Sequence, residues 1–241
     1  MKILSLLAAA FFTLTAAHAQ LGNSEQLAPD AFVEPAEASE HVVEFETTKG
    51  TFRVKLYNDT PQHRDNFMHW VKEKFYEGVL FHRVIPGFMV QAGDSASVHA
   101  APGQFLGDCP EPFTVPAEIK FPTHFHKTGA LAAAREGDRV NPEKASSCWQ
   151  FYVVTGHTYT DETLDQIQAY LSQQPVPVQL TEKQKEVYRQ VGGAPHLDGG
   201  YTVFGEVVEG MQTMDNIQWV ERDENDRPLE DIRILRATVI Q

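Results

Sequence analysis

The residues best suited to chemistry lie in one short segment, FHRVIPGFMVQAGD, at positions 81–94. If this segment is a strand bent at its Pro-Gly pair, alternation places Phe81 and Arg83 on one face and His82 on the other. The single acid, Asp94, stands where a turn residue belongs. The sequence shows no Ser-His-Asp grouping, no paired carboxylates, no G-x-G-x-x-G and no H-E-x-x-H. The segment therefore offers a fixed cation without a nucleophile or a general base.

Rotation about a prolyl amide is one reaction that needs such a cation above an apolar floor. Beyond the bend, Met89 and Gln91 share a face, so a guanidinium, a thioether and a carboxamide would lie together. Resonance sets the rotation barrier at ~20 kcal/mol, and the uncatalysed exchange takes tens of seconds. In the twisted transition state the amide nitrogen regains a lone pair, which a buried Arg83 could bond. A rate factor of ~10⁵ requires a barrier lower by about 7 kcal/mol. From this segment alone, a surface ion pair for Arg83 is an equally good interpretation.

Short strands separated by turns must position this segment. A hairpin is predicted from Val43 through a turn at Lys49-Gly50, followed by a helix with Thr60 as N-cap and Pro61 at its first position. A second helix is predicted over 211–220. Further strand signals are VLFHRVIPG, FMVQAG, ALAAA, WQFYVVT, TVFGEVV and IRILRATVI. The pattern favours a mainly β fold, an antiparallel barrel plugged by helices at its open ends.

A polar, helical stretch at about 160–193 interrupts this rhythm. Asp161 can cap a first helix, and Thr181 with Gln184 forms a capping box for a second. We interpret the stretch as an inserted helical pair packed on the outside of the fold. A decorative insertion is favoured over a functional lid.

Three segments resemble the cyclophilin-type peptidyl-prolyl cis-trans isomerases: FHRVIPGFMVQAGD, WQFYVV and HLDGGYTVFGEVVEGM. The resemblance runs from about Val43 to Gln241, with the insertion excepted. It implies a closed eight-stranded antiparallel barrel capped by two helices, with the active site on its outer face. It also implies that Arg83 is the catalytic residue and that the substrates are proline-containing segments of folding proteins. No cofactor is implied, and we expect a monomer.

The resemblance assigns further residues by position. Phe88 and Met89 would form the floor of a proline pocket, and Gln91 would orient Arg83 or hold the substrate backbone. The remaining substrate-binding positions are Ala134, Arg135, Gln150, Tyr152, His196, Leu197 and Tyr201. His82 belongs to the first motif, but alternation turns it away from Arg83, so we expect a buried support with a satisfied hydrogen bond.

Four of these positions depart from the family pattern. Arg135 stands where the family often has Asn, which puts the usual side-chain bond to the substrate in doubt. Tyr152 replaces Phe, so a hydroxyl borders the pocket and needs a polar partner. Tyr201 replaces a common His, and His196 stands in place of the Trp that many members use to bind cyclosporin. We therefore expect weak affinity for that drug.

The N-terminal residues and the net charge limit where the protein is expected and what it is expected to bind. Residues 1–19 read as a secretory signal, with Lys2 before an apolar run and an A-x-A site ending at Ala19. Residues 20–41 are predicted to be a flexible leader, and 42–241 the isomerase domain. The protein is therefore expected in the periplasm or outside the cell. A formal net charge of −13 argues against nucleic acid or an anionic membrane as a partner, and no later segment could span a bilayer.

The sequence leaves the state of its two cysteines open. Cys109 and Cys148 form either a disulfide, which an oxidising compartment permits, or a pair of small buried hydrophobic residues.

The sequence leaves three alternatives to isomerase activity. The first is a proline-binding chaperone with little turnover, against which the retention of a buried Arg83 argues. The second is a metal enzyme using His124 and His126, with His82 or His99 as a third ligand, but the spacing is weak. The third is a lipocalin-like carrier with its ligand inside the barrel, which the many Phe, Val and Leu residues on the strands disfavour.

Overall fold

The computed structural model describes residues 41–241. The predicted signal peptide and, apart from His41, the predicted leader lie outside the described residues. None of the helices in this range is long and apolar enough to cross a membrane. The strands are β1 (His41–Thr47), β2 (Gly50–Leu56), β3 (Phe81–Ile85), β4 (Met89–Ala92), β5 (Thr114–Val115), β6 (Ala130–Ala133), β7 (Ser146–Ser147), β8 (Phe151–Val154), β9 (Val203–Glu209) and β10 (Ile234–Val239). The helices are α1 (Pro61–Lys72), α2 (Asp161–Leu171), α3 (Glu182–Gln190) and α4 (Met211–Gln218), with single 3-10 turns at Ser95–His99 and Pro195–Leu197.

Eight strands form one antiparallel sheet in the order β10-β1-β2-β9-β6-β8-β4-β3, and β5 pairs separately with β7. The sheet curls until its two edges approach each other, and an isolated bridge between Leu80 and Arg233 joins them. The backbone N–H of Gly78 also donates to the carbonyl of Ile234 at 2.8 Å, and the N–H of Ile234 donates to the carbonyl of Val79 at 2.9 Å. The Phe81 backbone N–H adds a bond to the carbonyl of Ile232 at 2.9 Å. The expected eight-stranded antiparallel sheet is thus present, while its closure into a barrel by a continuous ladder is not confirmed.

Alternation along the strands gives the sheet two different faces. The inner face draws apolar residues from all eight strands and packs them against α1 and α4. Its centre is an aromatic cluster with neighbouring ring centroids 4.9–6.2 Å apart: Phe45, Phe52, Phe67, Tyr76 and Phe151. An interior filled in this way gives no support to the carrier hypothesis. The outer face of β4, β6 and β8 carries a second apolar cluster, which underlies the site described below.

The predicted shared face of Phe81 and Arg83 is wrong. The register between β3 and β4 shifts between these two residues, so strict alternation fails there. Phe81 packs in the inner cluster, whereas Arg83 lines a cavity on the outer face. The irregularity therefore turns the guanidinium outward while its neighbour stays in the core.

Helix α1 begins at the predicted Pro61, but Thr60 makes no capping hydrogen bond with its side chain. The Glu118 carboxylate replaces it by accepting from the backbone N–H groups of Gln62 at 3.1 Å and His63 at 2.9 Å. An anion at this position also complements the positive end of the helix dipole. A cap contributed from so far along the chain leaves no local sequence signal.

The two inserted helices, α2 and α3, lie where the sequence predicts them. The Thr181–Gln184 capping box is present, while α2 is capped by the Thr160 hydroxyl rather than by Asp161. The helices share a small core with residues that precede β6. Its members are Leu164, Leu171, Val178, Leu180 and Tyr188, with Phe121, Phe125, Tyr159 and Ile167 at its margin.

Candidate functional site

A cavity of about 150 Å³ opens on the outer face of the sheet. We call it the main pocket. Its lining residues are Arg83, Phe88, Met89, Gln91, Ala134, Arg135, Tyr152, Leu197 and Tyr201. Of the eleven positions predicted for catalysis or substrate binding, only Gln150 and His196 are outside this set, and each contacts a member of it. The sequence-predicted residues are therefore brought together in space.

The sheet register aligns the centre of the main pocket. Arg83 on β3 lies opposite Gln91 on β4, and Gln91 lies opposite Tyr152 on β8. Tyr152 in turn lies opposite Ala132 on β6. Cross-strand neighbours have Cβ atoms ~5 Å apart, so this row sets a cation, an amide and a phenol at fixed spacing.

Arg83 is exposed in this structure, contrary to the buried cation expected from the sequence. Within residues 41–241 its guanidinium has no hydrogen bond or ion pair, while it lines the main pocket beside Phe88 and Tyr152. The partial opening of the pocket accounts for the exposure. Its N–H donors are thus available to a ligand in the pocket.

Gln91 is held by Gln150, the residue just before β8, rather than by Arg83. Its side-chain amide donates to Oε1 of Gln150 at 3.0 Å, and Gln150 donates to the carbonyl of Gly107 at 2.9 Å. The predicted role of Gln91 in orienting Arg83 therefore has no hydrogen bond to support it. The chain of bonds instead fixes Gln91 against the loop that contains Gly107.

The Tyr152 hydroxyl finds the polar partner that the sequence required. It lies 3.0 Å from Nε2 of His126, whose Nδ1 lies 2.9 Å from Oδ1 of Asp198. The other oxygen of Asp198 accepts from the Tyr188 hydroxyl at 2.6 Å. All four side chains are buried. Since a carboxylate only accepts, Nδ1 of His126 donates to Asp198, and Nε2 is the ring atom that faces the Tyr152 hydroxyl.

We call this set the buried relay: Tyr152, His126, Asp198 and Tyr188. Burial raises the pKa of both tyrosines well above its usual value, so both remain protonated donors. The relay joins the wall of the main pocket to helix α3 of the insertion. One side chain of the insertion, Tyr188, is thus linked by hydrogen bonds to a residue of the site.

The Arg135 guanidinium, which lines the main pocket, is held by contacts within the protein. Its Nε donates to the carbonyl of Gly200 at 2.7 Å, and its guanidinium pairs with Asp138 at 2.7 Å. The same group lies 4.4 Å from the centroid of the Tyr201 ring, a cation–π contact. These contacts hold Arg135 and Tyr201 as a fixed wall.

His196 and His82 differ in their surroundings. The His196 ring packs against Phe88 with centroids 5.2 Å apart, and burial together with nearby His126 lowers its pKa. His82 is buried away from the pocket, but the expectation of a satisfied hydrogen bond is wrong, because neither ring nitrogen has a partner among the described residues. Burial lowers the pKa of His82 to about 4, although the nearby Asp94 carboxylate acts in the opposite direction.

The metal hypothesis finds no support in the described residues. His124 pairs with Asp59 at 2.7 Å, whereas His126 belongs to the buried relay. Across residues 41–241 no group of three or more His, Cys, Asp or Glu side chains could hold a metal ion. The Cys109 and Cys148 side chains are free thiols rather than a disulfide.

A hydroxyl–imidazole–carboxylate arrangement does occur, away from the main pocket. Nε2 of His63 lies 2.9 Å from the Ser146 hydroxyl, and Nδ1 lies 2.7 Å from Glu118. Ser146 is only 1% exposed, and the adjoining cavity of about 10 Å³ accommodates one water at most. No substrate reaches this serine, so the arrangement serves to fix α1.

Three of the four residues of the buried relay, all except Tyr152, were not predicted from the sequence as parts of the site. His126 was weighed only as a metal ligand, and Asp198 and Tyr188 were not singled out. The hydroxyl of Tyr152, next to an apolar pocket, was the one signal that a buried polar partner must exist. Nothing local identified that partner, since the contacts join distant parts of the chain.

The sequence profile of the family described as "Cyclophilin type peptidyl-prolyl cis-trans isomerase/CLD" matches residues 42–239. A Staphylococcus saprophyticus protein named "Putative peptidyl-prolyl cis-trans isomerase" is 32% identical over 81% of this chain and 89% of its own length. An Emericella nidulans protein, "Peptidyl-prolyl cis-trans isomerase-like 1", is 28% identical over 83% of this chain and 94% of its own. The crystal structure of a Cryptosporidium parvum cyclophilin type peptidyl-prolyl cis-trans isomerase is similar with a TM-score of 0.60 and 20% identity. That match covers 84% of this chain and 99% of the other. A structure of the same Cryptosporidium protein in the presence of the dipeptide Ala-Pro matches with a TM-score of 0.59.

Proposed function

The chain belongs to the cyclophilin-type peptidyl-prolyl cis-trans isomerases, and we propose that it catalyses X-Pro rotation by donation from Arg83 to the prolyl nitrogen within the main pocket. The proposed substrates are proline-containing segments of unfolded or folding proteins. The single observation that carries this mechanism is the Arg83 guanidinium, which lines the main pocket beside its apolar side chains without an ion-pair partner in residues 41–241.

The pocket floor suits a pyrrolidine ring. Phe88, Met89 and Leu197 present apolar surface, and the volume of about 150 Å³ is well below the ~300–1,000 Å³ typical of pockets for drug-sized ligands. A single small ring is the appropriate occupant. Burying that ring removes water from the imide bond and leaves the nitrogen facing the rim.

The chemistry requires no covalent step. As the imide twists, conjugation is lost and the nitrogen lone pair becomes an acceptor, which neither planar isomer offers. A guanidinium donor on the rim bonds this lone pair and so stabilises the transition state more than the ground states. Gln91, Ala134 and Tyr152 would hold the flanking backbone and the ring in register.

An isomerisation assay on a proline-limited peptide tests this mechanism. We expect Arg83→Ala to lower kcat/KM by about 100-fold or more, as the loss of one fixed donor does at other electrostatic sites. Arg83→Lys is expected to recover only part of the loss, because an ammonium lacks the planar fork. The matched control is Arg236→Ala, which removes an exposed arginine of β10 that pairs with Glu46 of β1.

Comparable activity of the wild type and Arg83→Ala would refute donation from this residue. The alternative, a chaperone that binds proline segments with little turnover, predicts that Arg83→Ala leaves peptide binding unchanged and that the wild type barely accelerates exchange. Isothermal titration with the same peptide measures binding separately from rate.

We also propose that the clients are exported proteins, reached after removal of residues 1–19. The support is the A-x-A site ending at Ala19 behind a short apolar run. Mass spectrometry of the protein from the extracytoplasmic fraction should give an N-terminus at Gln20. Recovery of the full-length chain in the cytoplasm alone would contradict export.

A further inference from the structure

A second cavity, of about 240 Å³, opens beside the main pocket, and the inserted segment forms one side of it. We call it the insertion-side cavity. It shares Arg135, Leu197 and Tyr201 with the main pocket. Tyr170 near the end of helix α2, with Val176 and Val178 after the helix, contributes to the opposite wall. The two cavities are thus neighbours separated by common side chains.

The wall from the insertion presents apolar side chains to solvent. Tyr170 is 54% exposed and Val176 is 67% exposed, although both line a concave surface. Val176 lies between Pro175 and Pro177, which restrict the backbone on both sides. A ligand that covers Val176 would therefore order little additional backbone, so less entropy opposes its binding.

The charged groups at this cavity are largely engaged by the protein. Arg135 pairs with Asp138 at 2.7 Å, and Nζ of Lys144 donates to the carbonyl of Gly199 at 2.9 Å. The apolar side chains of this cavity, among them Val176 and Leu197, are therefore the groups left free to contact a ligand. The volume is below the range of pockets for drug-sized ligands, which suits one side chain better than a whole cofactor.

Resting on the proposed isomerase function, we propose that the insertion-side cavity is a specificity subsite. It binds a large apolar side chain, aromatic or branched aliphatic, within two residues of the substrate proline. An extended chain advances ~3.3–3.6 Å per residue, so a residue next to the proline reaches across the shared wall formed by Leu197 and Tyr201. The insertion thereby selects among prolines by the side chain that flanks them.

Two peptide series test this subsite on the mature full chain. In each series one residue before or after the proline is varied among Phe, Leu, Ala and Asp, and kcat/KM is measured. We expect Phe or Leu to exceed Ala by about tenfold at one flanking position, the scale of discrimination that an apolar pocket provides. The double variant Tyr170→Ser, Val176→Ser should reduce this ratio to below about threefold and leave the Ala peptide unchanged.

The matched control is Val191→Ser, which alters another exposed valine of the insertion, 52% exposed, that does not line either cavity. It should retain the preference of the wild type. Equal values for Phe, Leu and Ala at every position in an active wild type would overturn the subsite and leave the proposed function intact. Preference that survives the double variant would overturn it as well. A wild type inactive on all peptides would defeat the proposed function, and the subsite with it.

Discussion

Removing the buried Asp198 carboxylate should destabilise the protein far more than removing an exposed carboxylate of the insertion. Asp198 accepts the backbone N–H of His126 at 2.9 Å, Nδ1 of the same residue at 2.9 Å, and the Tyr188 hydroxyl at 2.6 Å. In Asp198→Ala all three donors remain buried without a partner. Each such group costs about 1–3 kcal/mol, and because neighbouring effects are not additive we expect a total loss of about 3–5 kcal/mol.

The control is Asp161→Ala. Asp161 also accepts a bond of 2.6 Å, from Arg189, but its side chain is 76% exposed. Surface pairs of this kind contribute about 0–1 kcal/mol. Asp198→Ala and Asp161→Ala therefore compare a buried carboxylate with an exposed one.

Urea unfolding followed by circular dichroism and by tryptophan fluorescence gives both free energies of unfolding, provided that the two signals coincide. A domain has only ~5–15 kcal/mol of stability in total, so a loss of this size can unfold the variant. If Asp198→Ala does not fold, Tyr188→Phe takes its place in the experiment. That milder variant deprives Asp198 of one donor, and we expect a loss of about 1–2 kcal/mol. A loss for Asp198→Ala no greater than that for Asp161→Ala would refute the structural importance of the buried relay.

Two further predictions concern histidines. Because burial lowers the folded-state pKa of His82 from 6.5 to about 4, the unfolded chain binds the proton first as the pH falls. Stability is then lost between about pH 6.5 and pH 4, by about 3 kcal/mol for this group at 1.36 kcal/mol per pH unit. His82→Leu should flatten this part of the profile of unfolding free energy against pH, and an unchanged slope would contradict the assignment. We expect cyclosporin to inhibit the protein weakly, because His196 stands where many cyclophilins have Trp. Submicromolar inhibition of the purified protein would overturn this expectation. His196→Trp should lower the cyclosporin concentration needed for inhibition.

The sequence predicted the elements whose signals are local. Pro61 at the start of α1 and the Thr181–Gln184 capping box both depend on residues within one helical turn, and both are present. The pocket residues were predicted by resemblance instead, since Arg83 and Tyr152 lie on different strands and no spacing rule links them.

What the sequence could not predict depends on distant contacts. Glu118 caps α1 from 55 residues away, and the relay bond from His126 to Asp198 spans 72 residues. The outward turn of Arg83 depends on an irregular register that β4 imposes on β3. His82 was expected to be hydrogen-bonded because most buried polar groups are, yet its surroundings offer no partner within residues 41–241.

The insertion affects the main pocket without disturbing the sheet because its two ends meet. Gly193 donates to the carbonyl of His157 at 3.1 Å, so the chain leaves and re-enters the connection between β8 and β9 at one point. A Cβ at Gly193 would lie 2.2 Å from the carbonyl oxygen of His126, which requires glycine at this close approach. The same approach carries α3 towards the relay and brings Tyr188 to Asp198. An insertion anchored in this way can lengthen or change its outer loops, including Val176, while Tyr188 keeps the pocket wall in place. If the proposed subsite is correct, the substrate preference of the protein can therefore change without a change in the residues that catalyse the reaction.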